Sequence, residues 1–243
     1  MHFMWNCQLF SRTITRYSTS FTSTRSAFKL VYRLVKQEKM AAVKPQPFDY
    51  FLVLDFEATC QKNERLIPQE IIEFPVLKVN AQTFEVEDQF HQYVQPRVNK
   101  MLTPFCTELT GIVQDMVDGQ QHVEDVLKDF DAWMVAHSFG DGGQKTSAFV
   151  TCGDWDLKTM LPSQEQYFNL NVAKYFRRWV NIKRVFADTM KHYPKRDMMG
   201  MLKDLKLEHQ GRHHSGIDDC KNIARILKAL AEKGAVINIT GRR

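Results

Sequence analysis

The sequence predicts an α/β domain in which a β-sheet is layered with helices, and three observations support this class. Apolar runs of strand length come first, between residues 50 and 94. An amphipathic helix pattern, another short strand and a long final helix follow them. Strands first, then alternation with helices, is the order typical of layered α/β domains. The chain has 243 residues, 44% of them apolar, which is enough to bury a core of this kind.

Strand composition recurs along the chain. The predicted strands are Tyr50–Leu54, residues 71–79, residues 90–94 and residues 148–151, with residues 235–239 as a candidate closing strand. Pro75 in the second segment indicates an edge or a bulge, because proline cannot donate a hydrogen bond to a sheet. Residues 81–83 have turn composition, so the second and third strands are expected to pair.

Helical signals fill the intervals between the strands. Thr103-Pro104 opens a short helix that Gly111 can close, since proline favours the first turn and glycine the position after the last. Apolar residues recur at the helical period in residues 123–134 and again in residues 217–230. Residues 138–145 form a glycine-rich loop, and the chain after the fourth strand is expected to be helical nearly to its end.

Residues 1–47 differ in composition from the rest. Residues 1–39 hold seven Lys or Arg and a single acid, so the formal net charge of +5 originates there. This Ser-, Thr- and Arg-rich composition is typical of a mitochondrial transit peptide. A disordered leader, or a start at Met40, explains the same residues and implies the cytoplasm or nucleus instead. Residues 44–47 are interpreted as a proline-marked linker, and the domain is placed at residues 48–240.

The cysteines and the hydropathy exclude several classes. Five cysteines lie far apart without a CxxC pair, at positions Cys7, Cys60, Cys106, Cys152 and Cys220. This spacing argues against both a zinc site and a disulfide framework, and it suits a reducing compartment. No apolar run approaches the ~18 residues that a membrane span needs, so no membrane partner is expected.

Acidic residues stand at the ends of two predicted strands. In FLVLDFEATC the strand ends in Asp55, with Glu57 two positions on, and alternate residues of an extended chain point to one side. Two carboxylates this close raise each other's pKa unless a cation lies between them. Asp154 and Asp156 follow the strand at residues 148–151. An isolated D-x-E pair is more often part of a solvated loop, so the second group is needed for the inference.

A histidine pair precedes the last helix. HHSGIDDC places His213 and His214 just ahead of a helix whose first turn carries Asp218 and Asp219. The helix dipole alone often explains acids in a first turn. Acids from three segments beside a histidine nevertheless indicate a site for metal ions and phosphate. Spacing alone does not distinguish the pair His213 and Asp218 from the pair His214 and Asp219.

The order of these motifs resembles the DEDDh branch of the DnaQ-like 3′→5′ exonucleases. The segments FLVLDFEATC, PQEIIEFPVLKVN, FHQYVQP, LTPFCTELTGI, VTCGDWDLKTMLP and GRHHSGIDDCKNIARI are similar throughout to the Eri family of exoribonucleases. The similarity covers about residues 48–240. It implies a ribonuclease H-like exonuclease fold, with a mixed, roughly five-stranded sheet flanked by helices.

The resemblance also implies roles for individual residues. The metal-binding carboxylates would be Asp55, Glu57, Asp156 and Asp219, and the catalytic residues Glu57 and His214. The family pattern selects His214 over His213, which stands where a proline is common, and Asp156 over Asp154. The expected contacts to the terminal nucleotide are Phe56, Ala58, Thr59, Phe105, Leu109, Thr110, Gly111, Trp155 and His214. Core packing is the alternative role for Phe105 and Trp155.

The implied reaction removes nucleoside 5′-monophosphates from RNA 3′ ends, with single-stranded DNA as a second candidate substrate. Two Mg²⁺ ions, for which Mn²⁺ can substitute, would activate the water and stabilise the departing 3′ oxygen. Four carboxylates without thiolates suit Mg²⁺. His214 would accept a proton from the attacking water as general base. The sequence identifies no protein partner.

A basic stretch is a candidate RNA contact. Residues 174–196 carry eight Lys or Arg against the single acid Asp188, interleaved with aromatic residues. Arg177 and Lys183 are the candidates for phosphate binding. Alternatively, the aromatic residues pack in the core and the charges are merely solvated.

Two other functions are compatible with the fold. A catalytically silent RNA-binding adaptor would be free to lose the acids, yet all four are present together with the histidine. A ribonuclease H-type endonuclease uses similar carboxylate–metal chemistry but does not require this histidine. Both are therefore less favoured than the exonuclease.

Overall fold

The apolar runs of the sequence form one mixed sheet. Its strands are β1 (Tyr50–Leu54), β2 (Glu57–Ala58), β3 (Ile71–Asn80), β4 (Val86–Tyr93), β5 (Ser147–Thr151), β6 (Arg178–Asn181) and β7 (Gly241–Arg242). The spatial order is β4, β3, β1, β5, β6, β7, and β2 pairs with β3 beyond the end of β1. β1, β5 and β6 are parallel, and the other pairs are antiparallel. Five strands of the described part of the chain have four or more residues, which confirms the predicted mixed sheet.

This computed structural model describes residues 43–140 and 142–243. The leader at residues 1–42 lies outside the described residues, and so does Asp141 in the glycine-rich loop. Val43–Arg243 forms a compact unit. Within the described range, no helix is long and apolar enough to cross a bilayer.

Helices cover both faces of the sheet. They are α1 (Pro104–Thr110), α2 (Gln114–Val117), α3 (Val123–Ala136), α4 (Leu161–Phe168), α5 (Ile182–Met190), α6 (Asp197–Asp204) and α7 (Gly216–Glu232), with a π turn at Asp156–Met160 and a 3₁₀ turn at Lys174–Arg177. The caps of α1 are as predicted: the Cys106 N–H donates to Thr103 Oγ1 at 3.0 Å, and Gly111 ends the helix with a left-handed φ of 80°.

The alternation of β1 divides the core in two. Phe51 and Val53 pack with α5, α6 and α7 on one face, whereas Leu52 and Leu54 pack with α3 and α4 on the other. A strand buried on both faces needs apolar residues at every position, which is why this segment does not alternate with polar residues.

Three sequence predictions need correction. The chain after β5 is not helical throughout, because the short segment Arg178–Asn181 pairs with β5 as β6. Residues 235–239 are not a strand; the closing strand is β7 alone. The segment interpreted as a linker is held to the domain, since Gln46 Nε2 donates to the Ala235 carbonyl at 3.1 Å and Gln46 Oε1 accepts from the Ile237 N–H at 2.9 Å.

The pairing along β3 is interrupted next to the acidic residues. β3 pairs with β1 as far as Val76 opposite Leu54, and with β2 from Glu73 opposite Glu57. Asp55 and Phe56 occupy the gap between the two short strands. These two residues lie outside the regular pairing of the strands, at the carboxyl-terminal edge of β1.

Candidate active site

Acidic side chains from three segments meet at one edge of the sheet. Asp55 and Glu57 flank the break after β1, and Asp156 follows β5. Because β1 and β5 are parallel, their carboxyl ends open at the same edge, where α/β proteins place ligands. The Phe56 N–H donates to Asp156 Oδ1 at 2.9 Å, which fixes the two segments together. Asp219 reaches the group from the first turn of α7.

The start of α7 approaches this edge closely. A Cβ at Gly216 would lie 2.6 Å from the Asp55 carbonyl oxygen, so only glycine allows the contact. Glu73, on β3 and 1% exposed, accepts hydrogen bonds from the Gly216 N–H at 2.9 Å and the Ile217 N–H at 3.1 Å. The His91 Nε2 atom lies 2.8 Å from the same carboxylate. Glu73 therefore anchors the helix that carries Asp219.

Sequence reasoning missed Glu73. It stands inside the apolar run IIEFPVLKV, where a single acid gives no sign of its partner. The identity of that partner depends on the approach of α7, which only the tertiary structure provides. The available sequence signal is an isolated acid within an apolar strand, because a carboxylate buried there needs a partner.

His214 faces the acids from the loop before α7. Its backbone adopts a left-handed φ of 64°, and its N–H donates to Asp219 Oδ2 at 3.0 Å. Ligand atoms of Glu57, His214 and Asp219 all lie within 4.8 Å of one another. The His213 ring stacks on the His214 ring, with centroids 4.0 Å apart. The structure thus places His214 in the acid cluster.

The alternative acids have structural partners instead. Asp154 accepts hydrogen bonds from Trp179 Nε1 at 2.9 Å, Asn181 Nδ2 at 3.0 Å and Arg184 Nη2 at 2.9 Å. Asp218 Oδ2 accepts from the Arg212 N–H at 3.0 Å. Each holds local chain geometry outside the cluster.

The grouped carboxylates oppose each other's ionisation. Burial raises the pKa of Glu57 to about 9, and the charges of Glu73, Asp219 and Asp156 add to the rise. Burial also raises the pKa of Asp156 to about 6, although the Phe56 N–H and the Lys183 cation act in the opposite direction. The site therefore concentrates more negative charge than its own residues neutralise.

Burial and four neighbouring acids, Asp156, Glu57, Asp219 and Glu73, raise the pKa of Asp55 well above its ordinary value. Burial also raises the pKa of Asp219, against the His214 N–H and the two adjacent histidines. For His214, burial and the neighbouring His213 lower the pKa. The imidazole is accordingly neutral near pH 7 and able to accept a proton.

Comparison with known proteins agrees with this geometry. The RNase_T family model, described as Exonuclease, matches residues 52–227. Human ERI1 exoribonuclease 3 is 55% identical over 203 residues, covering 84% of this chain and 60% of the human protein. The nuclease domain of 3′hExo, a DEDDh family member bound to rAMP, is 36% identical with a TM-score of 0.78, covering 82% of this chain and 100% of that chain.

The chain belongs to the RNase_T exonuclease family, in its Eri-type DEDDh branch. A 3′-exonuclease structure showing 3′-end-specific recognition of the histone mRNA stem-loop is also similar, at 35% identity and a TM-score of 0.77, covering 82% of this chain and 88% of that chain. The chain spans about 60% of the length of the curated relatives that it matches first. DEDDh exonucleases are metal-dependent, generally with two divalent ions.

Asp55, Glu57 and Asp156 of this Eri-type domain border a cleft of about 260 Å³. Of the residues expected to contact a nucleotide, the structure places Phe56, Ala58, Leu109, Trp155 and His214 in its wall. The Phe56 ring packs edge-on against Phe74 in the core, with centroids 4.8 Å apart, which leaves its backbone to face the cleft. Trp155 is 39% exposed, so its ring is not a core residue. Cys60, Gln69 and Cys152 also line the cleft and were not anticipated.

The remaining expected contacts lie elsewhere. Thr59 is buried, with Oγ1 accepting from the Glu70 N–H at 3.0 Å. Thr110 donates to the Cys106 carbonyl at 2.9 Å within α1. Gly111 packs beneath Arg212, because a Cβ there would lie 2.6 Å from Nε of that side chain. Phe105 lines an adjacent depression of about 480 Å³. Local hydrogen bonding and packing explain the positions of the first three, and contact of these four residues with a nucleotide stays a prediction.

The basic stretch separates into two parts. Lys183 follows β6 at the site edge of the sheet and forms an ion pair with Asp197 at 2.6 Å. Arg177 precedes β6 and is exposed at the opposite end of that strand. Trp179 and Phe186 are buried in the core. Only Lys183 of the two candidates therefore lies near the acids.

Proposed function

We propose that the protein is a metal-dependent 3′→5′ exonuclease that shortens RNA from its 3′ end and releases nucleoside 5′-monophosphates. The observation that carries this proposal is the meeting of Asp55, Glu57, Asp156 and Asp219 with His214 at one edge of the sheet. Neither the adaptor nor the endonuclease accounts for all five side chains together. Single-stranded DNA is a second candidate substrate.

The four carboxylates are proposed as ligands of two divalent ions, Mg²⁺ with Mn²⁺ as a substitute. The donor set fits such ions, because it consists of oxygens whose pKa values are raised by burial and by each other. When bound, the ions would polarise the attacking water and stabilise charge on the departing 3′ oxygen. The Phe56 N–H would keep the Asp156 carboxylate oriented towards them.

His214 is proposed as the general base. Its ring is half-buried beside Glu57 and Asp219, and the backbone bond from its own N–H to Asp219 fixes the loop. A neutral imidazole at this position can take a proton from a water molecule that attacks the phosphate. Removing this group typically lowers a rate by about 10²–10⁴-fold.

The terminal nucleotide is proposed to bind between Trp155 and Leu109. Both residues border the cleft that contains Asp55 and Asp156, so a base there would present its phosphate to the acids. Stacking on an aromatic ring tolerates any base, as an enzyme that steps along a strand requires. The substrate class comes from the relatives: 3′hExo binds rAMP, and a 3′-exonuclease recognises the 3′ end of the histone mRNA stem-loop.

An end-blocking assay tests the function. The full-length protein is incubated with 5′-labelled single-stranded RNA, or DNA of the same sequence, carrying either a free or a phosphorylated 3′ end. We expect stepwise shortening of free 3′ ends in Mg²⁺, with loss of activity in EDTA and in the variants Asp55→Asn and His214→Asn. Internal cleavage of blocked RNA would favour an endonuclease, and binding without cleavage would favour an adaptor; either result overturns the proposal.

A further inference from the structure

A second group of potential metal ligands shares Asp219 with the acid cluster. His209 and His213 lie in the loop between α6 and α7, and together with Asp219 they form what we term the histidine site. The ligand atoms of these three residues lie within 4.8 Å of one another. None of the proposed steps of hydrolysis uses His209 or His213.

The distances suit a small cation of the transition-metal type. His213 Nδ1 lies 3.2 Å from Asp219 Oδ2, and His209 Nε2 lies 3.8 Å from Asp219 Oδ1. Ligand atoms about 2.0–2.1 Å from a tetrahedral Zn²⁺ ion are about 3.3 Å apart, so small side-chain movements would complete the coordination. Two imidazoles and a carboxylate favour Zn²⁺ over Mg²⁺, which prefers oxygen ligands alone.

His209 has no other evident role for its ring nitrogen. Its Nε2 atom is buried, and among the residues that the structure describes it has no hydrogen-bond partner. A buried polar atom without a partner costs stability, so a structural histidine would ordinarily be satisfied. An ion at this position would satisfy Nε2 and join it to the Asp219 carboxylate.

The loop that carries both histidines is firmly held. Asn222 on α7 accepts from the Gln210 N–H at 3.1 Å and donates to the Gln210 carbonyl at 2.7 Å. Asp218 fixes the Arg212 N–H at 3.0 Å. His213 itself is exposed, which leaves an open coordination position and a path for an ion from solvent. The site is therefore preformed on one side and accessible on the other.

We propose that the histidine site binds Zn²⁺ or a similar borderline cation, and that binding inhibits the nuclease. The His213 ring would coordinate the metal by donating its Nδ1 lone pair, with the ring proton on Nε2. Asp219 would then be drawn from the acid cluster, and positive charge would stand beside the His214 ring that stacks on His213. The spacing of the cysteines argues against a zinc site with thiolate ligands, whereas the ligands of the histidine site are two imidazoles and a carboxylate. Zn²⁺ binding is independent of the proposed function; its inhibitory effect rests on that function.

Binding is tested with Co²⁺, whose tetrahedral complexes absorb visible light far more strongly than its six-coordinate ones. The full-length protein with Asp55→Asn disables the acid cluster and leaves the histidine site intact. We expect a single tetrahedral Co²⁺ per chain, displaced by Zn²⁺, and weakened by more than about tenfold in His209→Gln and His213→Asn. The control His192→Gln removes an exposed histidine near Asp204 and should bind as the parent does. Weak six-coordinate absorption, or equal binding in all variants, would overturn the site.

Inhibition is tested separately on proteins with an intact acid cluster. Full-length protein in saturating Mg²⁺ is titrated with Zn²⁺ during RNA hydrolysis. His209→Gln should keep the rate in Mg²⁺ alone and require at least about tenfold more Zn²⁺ for half inhibition. His213→Asn, compared with its own rate in Mg²⁺ alone because His213 contacts His214 and Asp219, should require a similar increase in Zn²⁺. Equal inhibition of all variants would show that Zn²⁺ acts at the acid cluster and would refute regulation through this site. Absence of nuclease activity would refute the proposed function, whereas the Co²⁺ titration would still test metal binding at the histidine site.

Discussion

The Glu73 carboxylate accepts a hydrogen bond from the Gly216 N–H at 2.9 Å and thereby joins the middle of the sheet to the first turn of α7. This bond and the close contact of Gly216 with the Asp55 carbonyl fix where Asp219 enters the site. A residue outside the proposed metal ligands thus sets the geometry of one of them. Glu73 is a positioning residue.

Replacing Glu73 should impair catalysis more than fold. Glu73→Gln keeps one acceptor oxygen but loses the charge that binds two N–H groups, so we expect a loss of about 1–3 kcal/mol in the free energy of unfolding. A displaced Asp219 should lower kcat by about tenfold or more, with KM little changed. Urea unfolding and steady-state kinetics measure the two effects. The control Glu232→Gln, at the exposed end of α7, should change neither; an unchanged kcat in Glu73→Gln would contradict the positioning role.

Replacement of Asp154 or Asp156 by asparagine should have opposite effects on stability and activity. Asp154→Asn weakens charged hydrogen bonds to Trp179, Asn181 and Arg184, and should lower the free energy of unfolding by about 2 kcal/mol while activity persists. Asp156→Asn should abolish activity and leave metal-free stability equal or higher, because it relieves repulsion among the acids. Thermal unfolding and RNA hydrolysis on both variants check this; a loss of activity with Asp154→Asn alone would reverse the assignment.

Local rules predict that acids stand where β1 and β5 end, whereas the resemblance to the Eri family selected Asp156 over Asp154. A buried apolar run must end, and Asp55 and Glu57 follow that end; β5 repeats the pattern with Asp156. Because β1 and β5 are parallel neighbours, the acids that follow them lie at the same edge of the sheet. In contrast, β6 was missed, because four residues between a 3₁₀ turn and a helix give too short a run to show a period of two.

Spacing could not distinguish His213 from His214. The two are adjacent and their rings stack, and both lie near Asp219. Only the tertiary structure shows that His214 is grouped with Glu57, whereas His213 is grouped with His209. Position along the chain also does not reveal that the hydroxyls of Thr59 and Thr110 are engaged in local hydrogen bonds.

The metal-free protein should lose stability as pH rises. The pKa of Glu57 is raised from 4.5 to about 9 and that of Asp156 from 3.8 to about 6, so the folded chain retains protons that the unfolded chain releases. Their contribution is full below pH ~4 and is lost as the pH approaches 9. In EDTA we expect Tm to fall between pH 5.5 and 8.5 by roughly 2–4 °C per kcal/mol lost. Mg²⁺ should remove most of this trend; an identical slope in Mg²⁺ would contradict a cation site among these acids.

Trp155 should contribute to substrate binding without supporting the fold. Its ring is 39% exposed at the cleft, and stacking on a base is worth about 1–3 kcal/mol. Trp155→Ala should therefore raise KM for short RNA by about tenfold, with Tm unchanged, and Trp155→Phe should restore most of the affinity. Tyr167→Ala removes an aromatic residue that is 53% exposed on α4 and serves as the control. A fall in Tm with unchanged KM would assign Trp155 to packing instead.

Divalent-ion stoichiometry tests the central claim most directly. Electron paramagnetic resonance of free Mn²⁺, titrated into the full-length protein, counts the ions that bind and does not depend on turnover. We expect two bound Mn²⁺ ions per chain if the four carboxylates hold a pair of ions. The account also predicts loss of binding in Asp55→Asn and Asp219→Asn and wild-type binding in Asp154→Asn. Wild-type titration curves for Asp55→Asn and Asp219→Asn would contradict it.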